Sequence, residues 1–259
     1  MGYQKLLLDS LFHLLRKLKL EKKFFDRFES KIKSYLIDDI FLLDNSINIV
    51  FDIGAYLGEF IDKILTKAPH CTIHAFEPSQ TAFEALIKKY KCFDNVHVKN
   101  LACGAVPGKM KYFISNFVPT NSLLKPNLKI YEELKHDRVD DFKSISELDI
   151  EVITINQYSK LNSIGEIDLI KTDTQGYDYQ VLLGAKDILK KVKFIVCELH
   201  FFPFYENEEL FFKICEFLYS NNFYLYSLYN LNKLNYDVLL ESDALFINSD
   251  YISLTKLKV

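Results

Sequence analysis

Short apolar runs alternate with amphipathic stretches along most of this 259-residue chain. Runs rich in Ile, Val, Phe and Leu that end at turn or acidic residues are too short for helices and predict buried strands. These strands cover residues 48–53, 71–76, 95–101, 167–172, 193–199, 223–228 and 243–248. Helices are expected near residues 58–67, 79–91, 177–190 and 205–220. Strands that alternate with helices indicate an α/β fold with a mostly parallel sheet covered on both faces.

One insertion interrupts this alternation. Residues 109–114 and 150–154 predict two extra short strands, and between them residues 115–147 follow no regular pattern. Long irregular segments inside compact domains are often lids or binding loops. We therefore expect this insertion to contribute to a site.

The N-terminal region differs from the rest of the chain. Residues 5–37 place apolar side chains at spacings of three and four, which predicts one or two amphipathic helices. Between Leu11 and Lys33 there are eight basic residues and three acidic ones. A basic amphipathic helix can lie on an anionic membrane surface. The alternatives are that these helices cap the main domain or contact a second subunit in a homodimer. We expect a helical extension over residues 1–45 and one domain over residues 46–259.

Candidate chemistry is concentrated around the first two predicted strands. The first strand runs into Asp52, a turn from Gly54 to Gly58 follows, and the second strand stops at Glu77 and Pro78. Glycines let the backbone approach a ligand closely, and the start of the following helix supplies free N–H donors. Nucleotide-binding βαβ units place an acidic residue such as Glu77 on a pair of ribose hydroxyls. The pattern predicts a nucleoside-binding unit, the alternative being an ordinary turn beside a core strand.

The spacing within this turn restricts the nucleoside. A dinucleotide-binding turn needs G-x-G-x-x-G, whereas here three residues separate Gly54 from Gly58 and two of them, Tyr56 and Leu57, are bulky. A phosphate-binding loop would need Gly-Lys followed by Ser or Thr, and this chain has none there. The D-x-G-x-x-x-G pattern with its later acidic residue resembles the cofactor motif of S-adenosylmethionine (SAM)-dependent methyltransferases.

A second block makes the resemblance more specific. Residues 168–185 read DLIKTDTQGYDYQVLLGA, and together with FDIGAYLG and NLACGAVPGKMKYF they resemble the FkbM family of SAM-dependent methyltransferases. The family's K-x-D-x-[EQ]-G-x-[ED] element and the following VLxGA are matched by Lys171, Asp173, Gln175, Gly176, Asp178, Val181, Leu182, Gly184 and Ala185. The resemblance covers roughly residues 46 to 230. Two positions depart from it, since Tyr56 stands where many members have Asn and Gln175 where many have Glu.

The resemblance implies a doubly wound, mostly parallel seven-stranded Rossmann-like sheet whose last two strands form an antiparallel edge. In such sheets ligands bind at the carboxyl ends of the strands. The Asp52 turn would meet the methionine part of SAM, Glu77 the ribose, and the end of the third strand the adenine. The implied cofactor-binding residues are Asp52, Gly54, Tyr56, Gly58, Glu77, Pro78, Asn100, Ala102 and Asp173.

The same rule places candidate catalytic residues at the ends of the fourth and fifth strands. His200 is the first choice as the base that deprotonates a hydroxyl acceptor, because a histidine titrates near neutral pH. Asp173 would orient that imidazole or accept the proton itself, and Glu198 shares the strand face of His200. Alternatively, His200 is a strand-end histidine satisfied by its neighbours, or all three residues bind a divalent cation. We predict no metal.

Within the insertion and the second block, Asn121, Ser122 and Gln175 are candidate substrate-binding residues. Asn121 and Ser122 resemble a short family element after the third strand, and the alternative is that they only close a turn. Gln175 lies beside Asp173 in the family motif and lacks the charge that many relatives carry there.

Composition adds limits on partners and compartment. A net charge of −3 provides no global attraction to nucleic acid. The five cysteines are scattered and odd in number, a pattern that suits a reducing compartment. No apolar run is long enough to span a bilayer, and the early leucines are interrupted by Asp9, which disfavours a signal peptide. We expect a cytoplasmic enzyme.

The acceptor follows only from the family. FkbM relatives commonly methylate hydroxyls of sugars, glycans, polyketides or related metabolites, and the abundance of Lys, Ile, Phe, Tyr and Asn is typical of an A+T-rich bacterial gene. We therefore expect a sugar of a surface polysaccharide, or its nucleotide-activated precursor, as the acceptor. The alternatives are a non-sugar metabolite, an NAD-dependent oxidoreductase on a similar fold, and a SAM-binding partner protein without catalysis.

Overall fold

A computed structural model describes residues 36–134, 139–234 and 238–252. The chain divides into two compact units, residues 1–39 and 40–259. The helices predicted over residues 5–37, and with them the predicted membrane or subunit contact, lie almost entirely outside the described residues. The predicted domain boundary after residue 45 stays a prediction.

The described secondary structure alternates between strands and helices. The strands are β1 (Ile49–Ile53), β2 (Thr72–Phe76), β3 (Val96–Lys99), β4 (Ala102–Cys103), β5 (Gly108–Ser115), β6 (Ser144–Ile153), β7 (Ile167–Thr172), β8 (Val192–His200), β9 (Phe223–Leu234) and β10 (Val238–Asn248). The helices are α1 (Leu36–Leu43), α2 (Glu59–Lys67), α3 (Gln80–Lys89), α4 (Leu128–Glu133), α5 (Ile155–Leu161), α6 (Asp178–Leu183) and α7 (Phe211–Tyr219).

Seven strands form the main sheet, in the order β3-β2-β1-β7-β8-β10-β9. The first five are parallel, and β10 is antiparallel to both β8 and β9. The strand order reverses at β1, from which the chain moves outward to β2 and β3 and later returns to β7. This confirms the predicted doubly wound α/β sheet with an antiparallel edge, and it places the switch point between β1 and β7.

The core lies on both faces of this sheet. β1 is buried from Val50 to Ile53, and α2 contributes two fully buried residues, Ile61 and Ile64. Parallel strands with helices on both faces read as nearly continuous apolar runs, which is why the short strands were recognisable in the sequence. An acidic residue inside such a run, as Asp52 is, therefore carries a large desolvation cost and needs a compensating partner.

The insertion predicted after the third strand forms a second, three-stranded sheet in the order β4-β6-β5. β6 pairs antiparallel with β5 and begins at Ser144, earlier than the predicted start at residue 150. The strand is longer than predicted because its exposed first half continues the pairing with β5. Between β5 and β6 the chain makes a short helical turn, Val118–Thr120, and then α4. The segment predicted to be irregular, residues 115–147, therefore contains α4 and the start of β6.

Two predicted helices are wrong in extent. The helix expected over residues 177–190 ends at Leu183, and Gly184 follows it, where an added Cβ would lie 2.0 Å from the Gly104 carbonyl oxygen. The helix expected from residue 205 begins at Phe211, because the preceding residues turn inward to contact polar groups. α5 was not predicted, although the Thr154 hydroxyl caps it by accepting the Gln157 N–H at 3.0 Å.

All five cysteines lie in the described ranges and are free thiols, Cys92 exposed and three of the others buried. No described helix combines the length and the apolar character that a membrane crossing requires. The expected compartment stays a prediction.

Candidate functional site

The turn after β1 is held in a conformation that glycine favours. Gly54 and Gly58 have φ angles of 79° and 78°, and a Cβ on Gly54 would lie 2.0 Å from the carbonyl oxygen of Asp173. On Gly58 a Cβ would lie 2.4 Å from the Tyr90 hydroxyl. The two glycines therefore let the turn pack directly against the segment after β7 and against α3.

Glu77 at the end of β2 faces this turn. One carboxylate oxygen accepts the Tyr56 N–H at 2.8 Å and the other accepts the Ser79 N–H at 2.8 Å. Burial raises the pKa of Glu77 to about 7, while these two hydrogen bonds and the charge of Lys171 act in the opposite direction. Glu77 is thus a carboxylate positioned by backbone donors, with acceptor lone pairs remaining for a ligand.

Asn100 supports the same corner from behind. Its side-chain amide donates to the carbonyl oxygens of Glu77 at 2.9 Å and Pro78 at 3.1 Å. The structure therefore places Asn100 where it fixes the backbone that carries Glu77, whereas Ala102 lies on the cavity wall. The predicted direct contact of Asn100 with the cofactor stays a prediction.

A cavity of about 170 Å³ opens at the carboxyl ends of β1, β2 and β7. The residues that line it are Ile53, Gly54, Tyr56, Phe76, Glu77, Pro78, Leu101, Ala102, Cys103, Tyr112, Val118, Pro119, Asn121, Leu123, Asp173, Thr174 and Gln175. Most predicted cofactor residues are among them. The sequence did not indicate Tyr112, Val118, Pro119 and Leu123 as site residues, although all four lie in the insertion, which was the signal that could have found them.

Two carboxylates, one buried and one partly exposed, flank one lysine beside the cavity. Lys171 on β7 lies opposite Asp52 on β1, with its Nζ 3.3 Å from Asp52 Oδ1 and 3.4 Å from Asp173 Oδ2. Burial disfavours the charge of Lys171, but the two aspartates outweigh it and raise its pKa. Asp52 is fully buried, which raises its pKa against the opposing effect of Lys171. Asp52 thus lies beneath the cavity, and Asp173 is the aspartate that lines it.

The loop after β7 carries Gln175 with φ 55°. Its amide nitrogen donates to Asp173 Oδ1 at 3.0 Å and to Glu198 Oε2 at 2.8 Å. Its backbone carbonyl accepts the Ser122 hydroxyl at 2.7 Å, so the insertion is latched to this loop. Asn121 lines the cavity, and its Oδ1 accepts the Ser115 N–H at 2.8 Å. Ser122 therefore closes a contact between two segments, and its predicted role in substrate binding stays a prediction.

His200 lies behind this loop and is not among the described residues that line the cavity. Its side chain is 3% exposed, with Nδ1 hydrogen bonded to Glu208 and Nε2 3.2 Å from Glu198 Oε2. Burial opposes a positive charge on the imidazole, but Glu198 and Glu208 outweigh it and hold the pKa of His200 well above its usual range. An imidazolium with both nitrogens engaged is poorly suited to accept a proton from a bound hydroxyl.

The same region contains a group of side chains that could hold a cation. The ligand atoms of Glu198, His200 and Glu241 lie within 4.8 Å of one another. Asp173, which the sequence grouped with the first two, is replaced there by Glu241 from β10. Because Glu208 already holds Nδ1 of His200, only Nε2 of the imidazole faces this group.

A comparison with known families agrees with this geometry. The sequence profile described as the methyltransferase FkbM domain matches residues 52–226, which include the glycine turn, the insertion and the loop after β7. The chain belongs to the FkbM methyltransferase domain family. This confirms the family predicted from the two sequence blocks and, with it, the enzyme class of the domain.

Curated relatives of the FkbM domain are distant in sequence. Methyltransferase sdnD of Sordaria araneosa is 27% identical over 156 residues, which are 53% of this chain and 60% of the relative. The 2-O-methyltransferase NoeI of Sinorhizobium fredii is 23% identical, with 66% of this chain and 68% of the relative covered. The 31-O-demethyl-FK506 methyltransferase FkbM of Streptomyces tacrolimicus is 24% identical, with 59% and 65% covered. The chain spans about 60% of the length of the first of these relatives.

Both departures from the usual FkbM pattern have a specific setting. Tyr56 has φ 45°, in the left-handed region that Asn tolerates better than an aromatic residue, so the position explains why Asn is common there. Gln175 faces two carboxylates, so the Glu that many members carry would place like charges together in this chain.

Proposed function

We propose that the protein is a SAM-dependent O-methyltransferase that acts on a hydroxyl of a sugar, either a surface-polysaccharide sugar or its nucleotide-activated precursor. The observation that carries the methyltransferase part is the cavity at the strand ends of an FkbM domain, bounded by the Gly54 turn, Glu77 and Asp173. The acceptor class extends the proposal through the family and through relatives that are named as O-methyltransferases.

The donor set of the cavity suits SAM. Glu77 is in place to bind ribose hydroxyls, and the apolar wall formed by Phe76, Leu101 and Ala102 suits an adenine ring. The close packing at Gly54 brings backbone groups to the end that would take the amino-acid part. When bound, SAM supplies a methyl group already activated on a positively charged sulfonium.

Charge separates SAM from NAD as the ligand. Asp173 and Glu77 line the cavity and Asp52 lies directly beneath it, with Lys171 as their shared counter-charge. Carboxylates at short range attract a sulfonium cation and repel the pyrophosphate of a dinucleotide. The bulky Tyr56 within the turn also occupies the space where a pyrophosphate would approach the backbone. The oxidoreductase alternative therefore has less support.

Asp173 is the proposed proton acceptor. It is the carboxylate of the loop after β7 that reaches the cavity, with 37% of its side chain exposed, and Lys171 and Gln175 hold its two oxygens. Alignment of acceptor and methyl donor accounts for much of the rate gain in such transfers, and a positioned base adds about 10²- to 10⁴-fold. His200 was the first choice from the sequence. In this proposal it is not the base but a charged residue behind the loop, in contact with Glu198 and Glu208.

The polar groups on the acceptor side suit a hydroxylated ligand. Asn121 and Tyr112 bring an amide and a phenol to the cavity wall, next to the apolar Val118 and Leu123. Sugars present both hydroxyls and apolar ring faces, so this mixture supports a sugar over a wholly apolar metabolite.

Isothermal titration with S-adenosylhomocysteine (SAH), in parallel with NAD and with EDTA present, tests the proposal. We expect saturable micromolar binding of SAH and none of NAD. Binding of NAD alone would reject the methyltransferase in favour of the oxidoreductase. If neither ligand binds to folded protein, the enzymatic proposal fails. With SAH binding established, methyl transfer to nucleotide sugars and polysaccharide fragments identifies the acceptor or, if only other hydroxyl compounds react, overturns the sugar assignment.

A further inference from the structure

The side chain of Gln175 is held on every polar atom. Its nitrogen donates to Asp173 and Glu198, and its oxygen lies 3.0 Å from the Tyr205 hydroxyl. Tyr205 is buried, and its single proton is shared between Gln175 and the Thr120 carbonyl oxygen, 3.1 Å away. Only one orientation of the amide satisfies these neighbours, because carboxylates accept hydrogen bonds and the phenol is the available donor.

A line of buried groups continues behind the amide. Glu198 Oε2, which accepts from Gln175, lies 3.2 Å from His200 Nε2, and Nδ1 of the same imidazole is hydrogen bonded to Glu208. Glu208 is fixed in turn, since its other oxygen accepts the Tyr205 N–H at 3.0 Å. These contacts form a closed ring that leads from Tyr205 through Gln175 and back to Tyr205. Its other members lie on β8 and on the segment that follows β8.

We propose that Gln175 is a positioning residue that fixes the carboxylate of Asp173 toward the cavity, and that Tyr205, Glu198, His200 and Glu208 hold Gln175 in place. The proposal rests on the proposed function in one respect, the role of Asp173 as the cavity carboxylate beside the bound methyl donor. It assigns a task to Tyr205 and Glu208, which the family motif does not contain.

The choice of Gln over Glu at this position follows from charge. A Glu of nearly the same shape would place its carboxylate against those of Asp173 and Glu198, where one of the three must bind a proton. Gln instead supplies an N–H to each carboxylate without adding charge. Lys171 and Gln175 thus hold the two oxygens of Asp173 in one orientation.

Other charged groups also act on Asp173 and limit what any variant can do. The groups that interact electrostatically with it come from β1, β7, α6, β8 and β10, and they are Asp52, Lys171, Asp178, Glu198 and Asp243. Only Lys171 among them is a cation. Loss of the hydrogen-bond donor at Gln175 therefore leaves Lys171 to hold Asp173 against the surrounding negative charge.

The relative affinity of the full-length protein for SAM and SAH, measured by titration calorimetry at one fixed pH, reports the position of Asp173 without an acceptor. SAM carries the sulfonium charge and SAH does not, so a carboxylate held toward the cavity favours SAM. We expect Gln175→Leu, which removes the N–H donors without adding charge, to lower the SAM-to-SAH affinity ratio by about tenfold. Tyr205→Phe, which removes the hydroxyl alone, should lower the ratio by less.

Gln157→Leu on the exposed face of α5 is the matched control and should leave the SAM-to-SAH affinity ratio unchanged. An unchanged ratio in both Gln175→Leu and Tyr205→Phe, with SAH still bound, would overturn the positioning role. A wild-type ratio that changes with EDTA would also overturn it, because the carboxylates would then hold a cation. Wild-type protein that binds neither compound would instead reject the proposed function itself.

Discussion

At the scale of single residues, function in this domain depends on where side chains are absent as much as on where they are present. Gly54 has φ 79° and leaves room for the carbonyl oxygen of Asp173, while Glu77 closes the same turn by accepting the Tyr56 N–H. The cofactor corner is therefore built by backbone contacts that a small change in one residue disturbs.

Gly54→Ala should be strongly destabilising. The added Cβ would lie 2.0 Å from a backbone oxygen and the residue would keep a left-handed φ, so we expect a loss of about 3 kcal/mol or more in the free energy of unfolding. Chemical denaturation measures it. Gly165→Ala is the control, because a Cβ there meets nothing within 4 Å, and a change of about 0.5 kcal/mol or less is expected. Equal effects of the two substitutions would contradict the packing argument.

Glu77 should make stability depend on pH. Its pKa is about 7 in the folded protein against a reference value of 4.5, so between these values the folded state binds more protons than the unfolded state. Its contribution is present at low pH and is lost as pH rises through this window, at about 1.4 kcal/mol per pH unit at most. Glu77→Gln should therefore gain stability relative to wild type from about pH 5 to 7 in denaturation curves. The exposed Glu84→Gln should show no such trend.

At the scale of elements, strand pairing places the charges. The register of β1 and β7 puts Asp52 directly opposite Lys171, and Lys171 also donates to the Gly54 carbonyl oxygen at 3.0 Å. One lysine thus links the floor of the sheet, the glycine turn and Asp173. A buried pair of this kind is costly to break because the partner left behind remains charged in an apolar layer.

Lys171→Met should cost about 3–5 kcal/mol in the free energy of unfolding, because Asp52 is left buried without its counter-charge. The double variant Asp52→Asn with Lys171→Met should recover part of that loss. Lys109→Met is the control, since its ion pair with Glu151 is exposed and is expected to contribute under about 1 kcal/mol. Denaturant titration compares the four proteins, and a loss below about 1 kcal/mol for Lys171→Met would show that Asp52 is not charged.

At the scale of the whole molecule, both sheets contribute residues to the cavity. The seven-stranded sheet supplies the strand ends with Glu77 and Asp173, and the insertion with its three-stranded sheet brings Tyr112, Asn121 and Leu123 to the same cavity. Ser122 connects them through the Gln175 carbonyl. The cavity therefore exists only when both parts are folded, although each is readable by itself in the sequence.

The cysteines report on the integrity of this whole. With Cys92 exposed, Cys215 half-buried and the other three buried, a thiol reagent should label one cysteine quickly, a second slowly and all five in denaturant. Burial raises the pKa of Cys71 to about 11, which slows its reaction further. Cys92→Ser should remove the fast phase alone. Rapid labelling of three or more thiols in the native protein would contradict the described core.

Much of the fold followed from the chain pattern because strands buried on both faces are short continuous apolar runs, whereas amphipathic helices repeat apolar residues every three or four positions. The glycine turn and the acids at strand ends were equally readable, since their chemistry depends on short spacings. Helix ends were less so: α6 stops at Leu183, seven residues before the predicted end at residue 190.

The sequence by itself determined the doubly wound sheet, the family and the corner formed by Gly54 and Glu77, because these rest on local periodicity and on motifs of a few residues. Only the tertiary structure decided that His200 lies behind the cavity between Glu198 and Glu208, and that Gln175 links Asp173 to Tyr205. These relations join β7, β8 and the insertion. Contacts between distant segments leave no periodic or spacing signal in a single chain.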